Sequence, residues 1–182
     1  MARKAGVETI TAFFTHELAK KVVEERGRAD VVTVTQVLQH IRDVTQLVED
    51  VGMMLKPGGV FVIEGRYFAD TVRKASYDTV YHEMLYFFTL TSLRNLLSQV
   101  GMEVFRAELS EVYGGSLRVY AKKAKTGKIR TEPSVREVLA SERAMGLDRF
   151  ETYAGFAKRA FELRDELRRV VQDLRAKGSI AG

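Results

Sequence analysis

The sequence contains no cysteine. That excludes a disulfide framework, a thiolate nucleophile and a cysteine-ligated metal. It also lacks any apolar run near the roughly 20 residues that a helix needs to span a bilayer, so no membrane association is expected. The opening Met1-Ala2-Arg3-Lys4-Ala5 leads into polar residues and does not read as a signal peptide. Histidine is scarce, with three in 182 residues, and no carboxylates cluster with it, so no metal site is expected. No stripe of basic and stacking aromatic residues points to nucleic acid. A cytoplasmic, reducing location is the expectation these absences leave.

What is present suits one hydrophobic core with some length left over: 46% of the residues are hydrophobic. Lys and Arg number 29 against 24 Asp and Glu, a formal charge of +5. The excess is spread along the chain. It is compatible with an anionic small molecule and equally with an ordinary soluble surface.

Residues 15–26 read as an amphipathic helix, with Thr15 at the cap, Leu18, Val22 and Val23 as its stripe and Gly27 as its stop. Ala29-Asp30-Val31-Val32-Thr33-Val34 follows, a β-branched run without strong polar alternation, as in a buried parallel strand. Residues 42–55 give a second helix. Lys56-Pro57-Gly58-Gly59 breaks it, because proline lacks an amide hydrogen and glycine permits the tight return. Residues 60–64 form the next buried strand. The link between the two strands is long enough for a crossover, so they are expected to be parallel. Residues 91–100 suit a short helix. Residues 102–109 and 116–122 suit two strands, pairing antiparallel about Tyr113-Gly114-Gly115.

After residue 121 the composition changes. Residues 122–128 read as a basic linker, and 133–142 as a helix with Pro133 in its first turn. Residues 150–176 read as one long charged helix. Phe156, Ala160, Leu163, Leu167, Val170, Val171 and Leu174 recur at three- and four-residue spacing, so one face should pack on something. Its polar face is expected to balance charges among Glu162, Glu166 and Arg169. A domain-connecting helix suits this length better than a coiled coil. Residues 178–182 look like a strand beginning, and Thr9-Ile10 like a fragment of one. The first full strand would then have an open edge. Either a partner covers it, by self-association or a separate upstream segment, or the true beginning of the sheet is missing.

Several segments, in order, carry a resemblance. They are Gly6-Val7-Glu8-Thr9-Ile10, Phe13-Phe14, Ala29-Asp30-Val31-Val32, Val37-Leu38-Gln39-His40-Ile41 and Lys56-Pro57-Gly58-Gly59 with the strand after it. Tyr77-Asp78-Thr79-Val80-Tyr81-His82-Glu83-Met84-Leu85 and Gly114-Gly115-Ser116-Leu117-Arg118-Val119-Tyr120 complete the set and are its most specific parts. The chain resembles the S-adenosylmethionine-dependent C-methyltransferases that act on nucleotide-linked deoxysugars at the 3-position. The resemblance implies an α/β fold: a partial class I methyltransferase (Rossmann-like) sheet, mostly parallel with an antiparallel pair, followed by a helical segment. It divides the chain into residues 1–121, the later part of the methyltransferase domain, and 122–182, a linker and the helical start of a carboxy-terminal domain. It also implies truncation at both ends. The family's zinc region, its Gly-rich donor loop and the acidic residue of its second strand would all lie before this chain.

The implied cofactor is S-adenosyl-L-methionine, and the implied partner a small-molecule substrate of nucleotide-sugar type. Methylating a sugar carbon requires a base beside a ketone and a group that settles the enolate charge. The resemblance puts this chemistry at Tyr81, His82 and Glu83. The family's base follows the glutamate, and that position here is Met84, which cannot take a proton. Either His82 or Glu83 serves instead, or the three residues simply pack and hydrogen-bond a loop. Phe13 and Phe14 would flank the adenine or pack in the core. Thr35, Gln36 and Val37 would border the donor, beyond the carboxyl end of a strand. His40 would touch substrate or cap the next helix. On the substrate side the resemblance places Arg66, Tyr113, Ser116 and Arg118. Arg66 replaces an apolar position, and Tyr113 replaces the family's histidine. Arg118 would grip a phosphate with two hydrogen bonds or lie on a strand surface. Two functional readings stand: a C-methyltransferase, or a fragment of one, acting on a nucleotide-linked sugar or related ketone; and a non-catalytic remnant or interaction module that keeps the scaffold.

Overall fold

A computed structural model describes residues 2–124 and 130–178. The basic stretch at 125–128 and the strand beginning expected at 179–182 lie outside the described residues. Helix α1 (His16–Arg26) starts where Thr15 accepts a hydrogen bond from the Leu18 amide, and stops at Gly27 with φ 78°. Strand β1 (Ala29–Thr35) follows. Helix α2 (Val44–Met54) is capped by Asp43, which accepts from the Gln46 amide at 2.9 Å. Its Leu47, Val48 and Val51 share one buried face. The buried carboxylate of Asp50 meets His16 Nδ1 at 2.5 Å and Gln46 Nε2 at 3.1 Å, tying α2 to α1.

Strand β2 (Leu55–Arg66) begins directly off α2. Here the expected clean break needs correcting. Leu55 already pairs with Ala29, and the ladder resumes at Val31 opposite Val60. Lys56-Pro57-Gly58-Gly59 is therefore an excursion inside one strand. Gly59 sits in a tight spot: a Cβ there would stand 3.1 Å from the carbonyl oxygens of both Ala29 and Asp30, so β1 would have to shift by a few tenths of an ångström to admit it.

Helix α3 (Phe68–Lys74), which the sequence reading did not foresee, leads to α4 (Leu90–Gln99). Thr89 and Ser92 cap α4 reciprocally. Strands β3 (Met102–Ser110) and β4 (Ser116–Lys123) form the expected antiparallel pair. The sheet order is β1-β2-β4-β3. β1 and β2 are parallel, and β4 runs antiparallel to both its neighbours, so three strands share a direction and one is reversed.

One face of the sheet carries the core. Phe61 and Ile63 of β2, Leu117, Val119 and Ala121 of β4, and Met102, Val104 and Ala107 of β3 pack with α2, α4 and α5 (Pro133–Ala144). Each large side chain buried there contributes roughly 1.5–3 kcal/mol. α5 joins through Val135, Val138 and Leu139, and the Glu132 amide donates to Phe105 O at 2.7 Å.

Two expectations about burial fail. No residue of β1 is buried and Val31 is 55% exposed, because among the described residues β1 is an edge strand with one face open. Helix α6 (Phe150–Ala176) has the predicted bounds, yet beyond Ala160 its apolar stripe is open except at the half-buried Val171. Tyr153 and Phe156 reach the Phe68 ring, and Arg159 donates to Val72 O at 3.0 Å. Leu163, Leu167, Val170 and Leu174 are exposed. On its polar face Glu162 pairs with Lys158 and Asp165 with Arg164, rather than Glu162 and Glu166 with Arg169. No helix among the described residues is long and apolar enough to cross a membrane.

Candidate functional site

The ends of β1 and β2 meet the beginning of β4. Register places Thr35 opposite Glu64, Glu64 opposite Arg118, and Arg66 opposite Ser116. Beyond Thr35 the chain turns sharply. Gln36 takes φ 55°, a left-handed conformation uncommon for a side chain of its size, held by its amide donating to Glu64 O at 2.8 Å. Its side-chain amide nitrogen lies 3.4 Å from Ser116 Oγ. The turn thus links the end of β1 to the start of β4. Val37 beside it is exposed.

The next residues hold a second loop. The backbone carbonyl of Gln39, a buried residue although polar, accepts from the amides of Leu85 and Tyr86 at 2.9 and 3.3 Å. His40 Nδ1 lies 2.8 Å from Glu83 O. A carbonyl only accepts, so Nδ1 carries the hydrogen, and in the neutral ring Nε2 keeps its lone pair. These bonds bring Tyr81-His82-Glu83 alongside His40, with all three side chains exposed. Met84 turns inward at 9% exposure.

The Tyr113-Gly114-Gly115 turn forms the other wall. Its three residues take φ of 55°, 80° and 133° in succession. Arg66 donates to Tyr113 O at 3.1 Å and Lys74 to Gly114 O at 2.7 Å, while the Tyr67 amide donates to Gly115 O at 3.0 Å. No side chain fits at Gly115, because a Cβ would stand 2.1 Å from Asp70 Oδ2. A cavity of about 340 Å³ opens here, lined by Arg66, Thr71, Ser76, Asp78, Thr79 and Tyr113. Its lining is polar: the Arg66 guanidinium, the Asp78 carboxylate and the hydroxyls of Thr71, Ser76, Thr79 and Tyr113.

Of the remaining predicted residues, Arg118 is engaged elsewhere. Its guanidinium meets Glu64 Oε2 at 2.6 Å and Glu108 at 3.6 Å, and the hydrogen bond to Glu64 holds it above its ordinary pKa. Phe13 and Phe14 are 94% and 43% exposed, without an aromatic partner among the described residues. They do not pack in the core. The sequence reading missed Gln39, Asp70, Thr71 and Ser76. A signal existed for two of them: a glutamine inside the apolar Val37-Leu38-Gln39-His40-Ile41 run, and a glycine pair that demands a close neighbour.

Residues 3–107 match the family of the methyltransferase domain, and residues 111–182 match that of the C-methyltransferase C-terminal domain. Over 183 aligned residues the chain is 34% identical to the C-methyltransferase NovU of Streptomyces niveus, covering 100% of this chain and 43% of that relative. The chain therefore spans less than half the length of this curated relative. Among solved structures, an O-methyltransferase family protein from Burkholderia thailandensis superposes with a TM-score of 0.47 at 18% identity, over 67% of this chain and 37% of that one. A complex of a Haloferax volcanii methyltransferase activator with a methyltransferase gives 0.46 at 13% identity, over 56% of each chain.

Proposed function

The chain belongs to the S-adenosylmethionine-dependent C-methyltransferase family, and from that premise we propose that it serves C-methylation of a nucleotide-linked ketodeoxysugar or related ketone. The observation that carries the reading is the tether between His40 and Glu83, which gathers the ionisable groups of two loops beyond the carboxyl ends of β1 and β2. The division of the chain at residue 121 is part of the same reading, although β4 runs on to Lys123 and α5 shares the core.

The residues present fit one side of the methyl donor. Phe13 and Phe14 offer exposed ring faces that would hold the adenine, and Thr35, Gln36 and Val37 would border the reacting end. Among the described residues the end of β1 carries no glycine-rich loop, and Glu64, at the end of β2, is already paired with Arg118. When bound, the donor supplies an electrophilic methyl group.

The acceptor side falls to this chain's own groups. His40 is the base in this reading. Nδ1 is fixed by Glu83 O, and Nε2, which has no partner among the described residues, takes the proton from the carbon beside the ketone. Tyr81 donates its hydroxyl to the ketone oxygen as negative charge develops there. His82 and Glu83 border the same space, and Arg66, Tyr113 and Ser116 hold the remainder of the substrate.

Proton exchange tests this without the donor. Incubating the protein with a nucleotide-linked ketodeoxysugar in heavy water should speed deuterium uptake at the carbon beside the ketone. His40→Gln should lower that rate by about 10²-fold or more. Absence of acceleration by the wild-type protein would sink the proposal. It would favour the scaffold reading, which the inward-facing Met84 supports.

A further inference from the structure

We infer that the cleft between α4, α5 and the start of α6 is a separate small-molecule site, which takes a flat aromatic ring bearing an anionic group. The cleft has a volume of about 330 Å³, at the lower end of the range for small-ligand sites. It shares no lining residue with the cavity beside Tyr113, and the inference does not rest on the proposed methylation.

Its floor is aromatic. The Phe68 ring lies 4.9 Å from Phe87 and 6.0 Å from Tyr153, the latter nearly parallel at 10°. All three rings are half-buried, so part of each faces the cleft. A flat ring is the ligand surface that stacks on such a floor.

The rim is cationic on two elements. Arg94 of α4 and Arg143 in the last turn of α5 both line the cleft and are exposed. Neither side chain has a hydrogen bond or ion pair among the described residues. Arg66, Arg73, Arg106 and Arg118, by contrast, are each bound to a carbonyl or carboxylate. Two unpaired guanidiniums lining the same cleft as these rings suit a carboxylate or phosphate.

Two carboxylates, Glu142 and Asp148, also line the cleft, and their charges help hold the Tyr153 hydroxyl above its ordinary pKa after burial, so the anionic group belongs at the Arg94 and Arg143 side. Glu142 is buried, and four donors already occupy its oxygens. Asp148 and Asn95 are exposed at the rim of the cleft.

Two probes separate the sources of this chemistry: AMP for a nucleoside phosphate and 2-naphthoate for an aromatic carboxylate. Each is titrated into the full chain by NMR, with adenosine, 2-naphthol and inorganic phosphate as half-probes. At least one probe should saturate below millimolar concentration while shifting the ring signals of Phe68, Phe87 and Tyr153. Arg94→Gln and Arg143→Gln should each weaken it about tenfold, with an unchanged thermal midpoint. The half-probes should bind at least about tenfold more weakly than the intact probe. The tighter probe identifies the ligand class. Absence of ring shifts with either probe, equal affinity in both variants, or shifts confined to Phe13 and Phe14 would each overturn the inference.

Discussion

At the scale of single residues, Glu142 is a buried carboxylate that joins three elements of the fold. It is 2% exposed and accepts from Tyr67 Oη at 3.0 Å, the Leu90 amide at 2.6 Å, the Thr91 amide at 2.9 Å and Thr91 Oγ1 at 2.6 Å. Two of these are amides from the first turn of α4, which have no partner within the helix. A side chain from α5 thus caps a helix that begins about fifty residues earlier, and its charge opposes the positive end of the α4 dipole. Burial, and then the Glu142 charge, push the Tyr67 hydroxyl upward, so it remains a donor across the whole working range. Removing the carboxylate strands its donors. Glu142→Ala should cost about 3 kcal/mol in urea denaturation, and Glu142→Gln, which keeps one acceptor oxygen, clearly less. A loss below about 1 kcal/mol for the alanine variant would mean that water substitutes for the carboxylate. Nothing in the sequence announced this residue. Its partners come from other elements, and only the tertiary fold brings them together. Thr15 and Gly27 were legible, because a cap acts within one turn of its own helix; Thr89, which caps α4 in the same way, was not picked out.

At the scale of elements, periodicity told which residues are apolar, and not whether anything covers them. The bounds of α1, α6, β3 and β4 were legible to within about two residues, the usual uncertainty of element ends. The Val-rich run of β1 looked buried and is not: it is an edge strand, with the open side that the sequence reading expected. The stripe on α6 looked like a packed face and is open after Ala160 except at Val171. The site divides in the same way. Local motifs gave the loops at 81–83 and 113–116. The pairing of Arg118 with Glu64 was not legible, because it depends on the register between β2 and β4. The two halves of α6 should therefore differ in dynamics. Residues 152–160 rest on α3 and the Phe68 cluster, whereas 161–176 rely on backbone hydrogen bonds and local ion pairs. An isolated helix of that length is marginal in water. Amide exchange should be at least about tenfold faster in 161–176 than in 152–160 for the protein at low concentration. Uniform protection along α6 would show that its open stripe is covered in solution.

At the scale of the whole molecule, the open face of the sheet is held by charge rather than by apolar packing. Register aligns Glu64 of β2, Arg118 of β4 and Glu108 of β3 in one row, and Arg106 extends it towards Glu132. The row crosses three of the four strands, so its loss should weaken the sheet as a unit. Glu108 is the titratable hinge. Its hydrogen bond from Arg106, followed by that from Tyr120, lowers its pKa below the ordinary value of 4.5. For a carboxylate with a lowered folded pKa, the linked stability is fully present above the unfolded value. It is lost as pH falls through the folded one. The window therefore opens near pH 4.5 and extends downwards. The size is small, because the Glu108 side chain is 33% exposed and solvent screens the pair; under about 1 kcal/mol is expected at neutral pH. Glu108→Gln removes this titration while leaving the shape of the side chain. Its thermal midpoint should lie slightly below wild type at pH 7, and the two curves should converge as the acid limb is crossed. Curves that stay parallel down to pH 3 would mean that the carboxylate contributes the same in both protonation states. The cohesion of the open face would then have to come from the β2, β3 and β4 ladders alone.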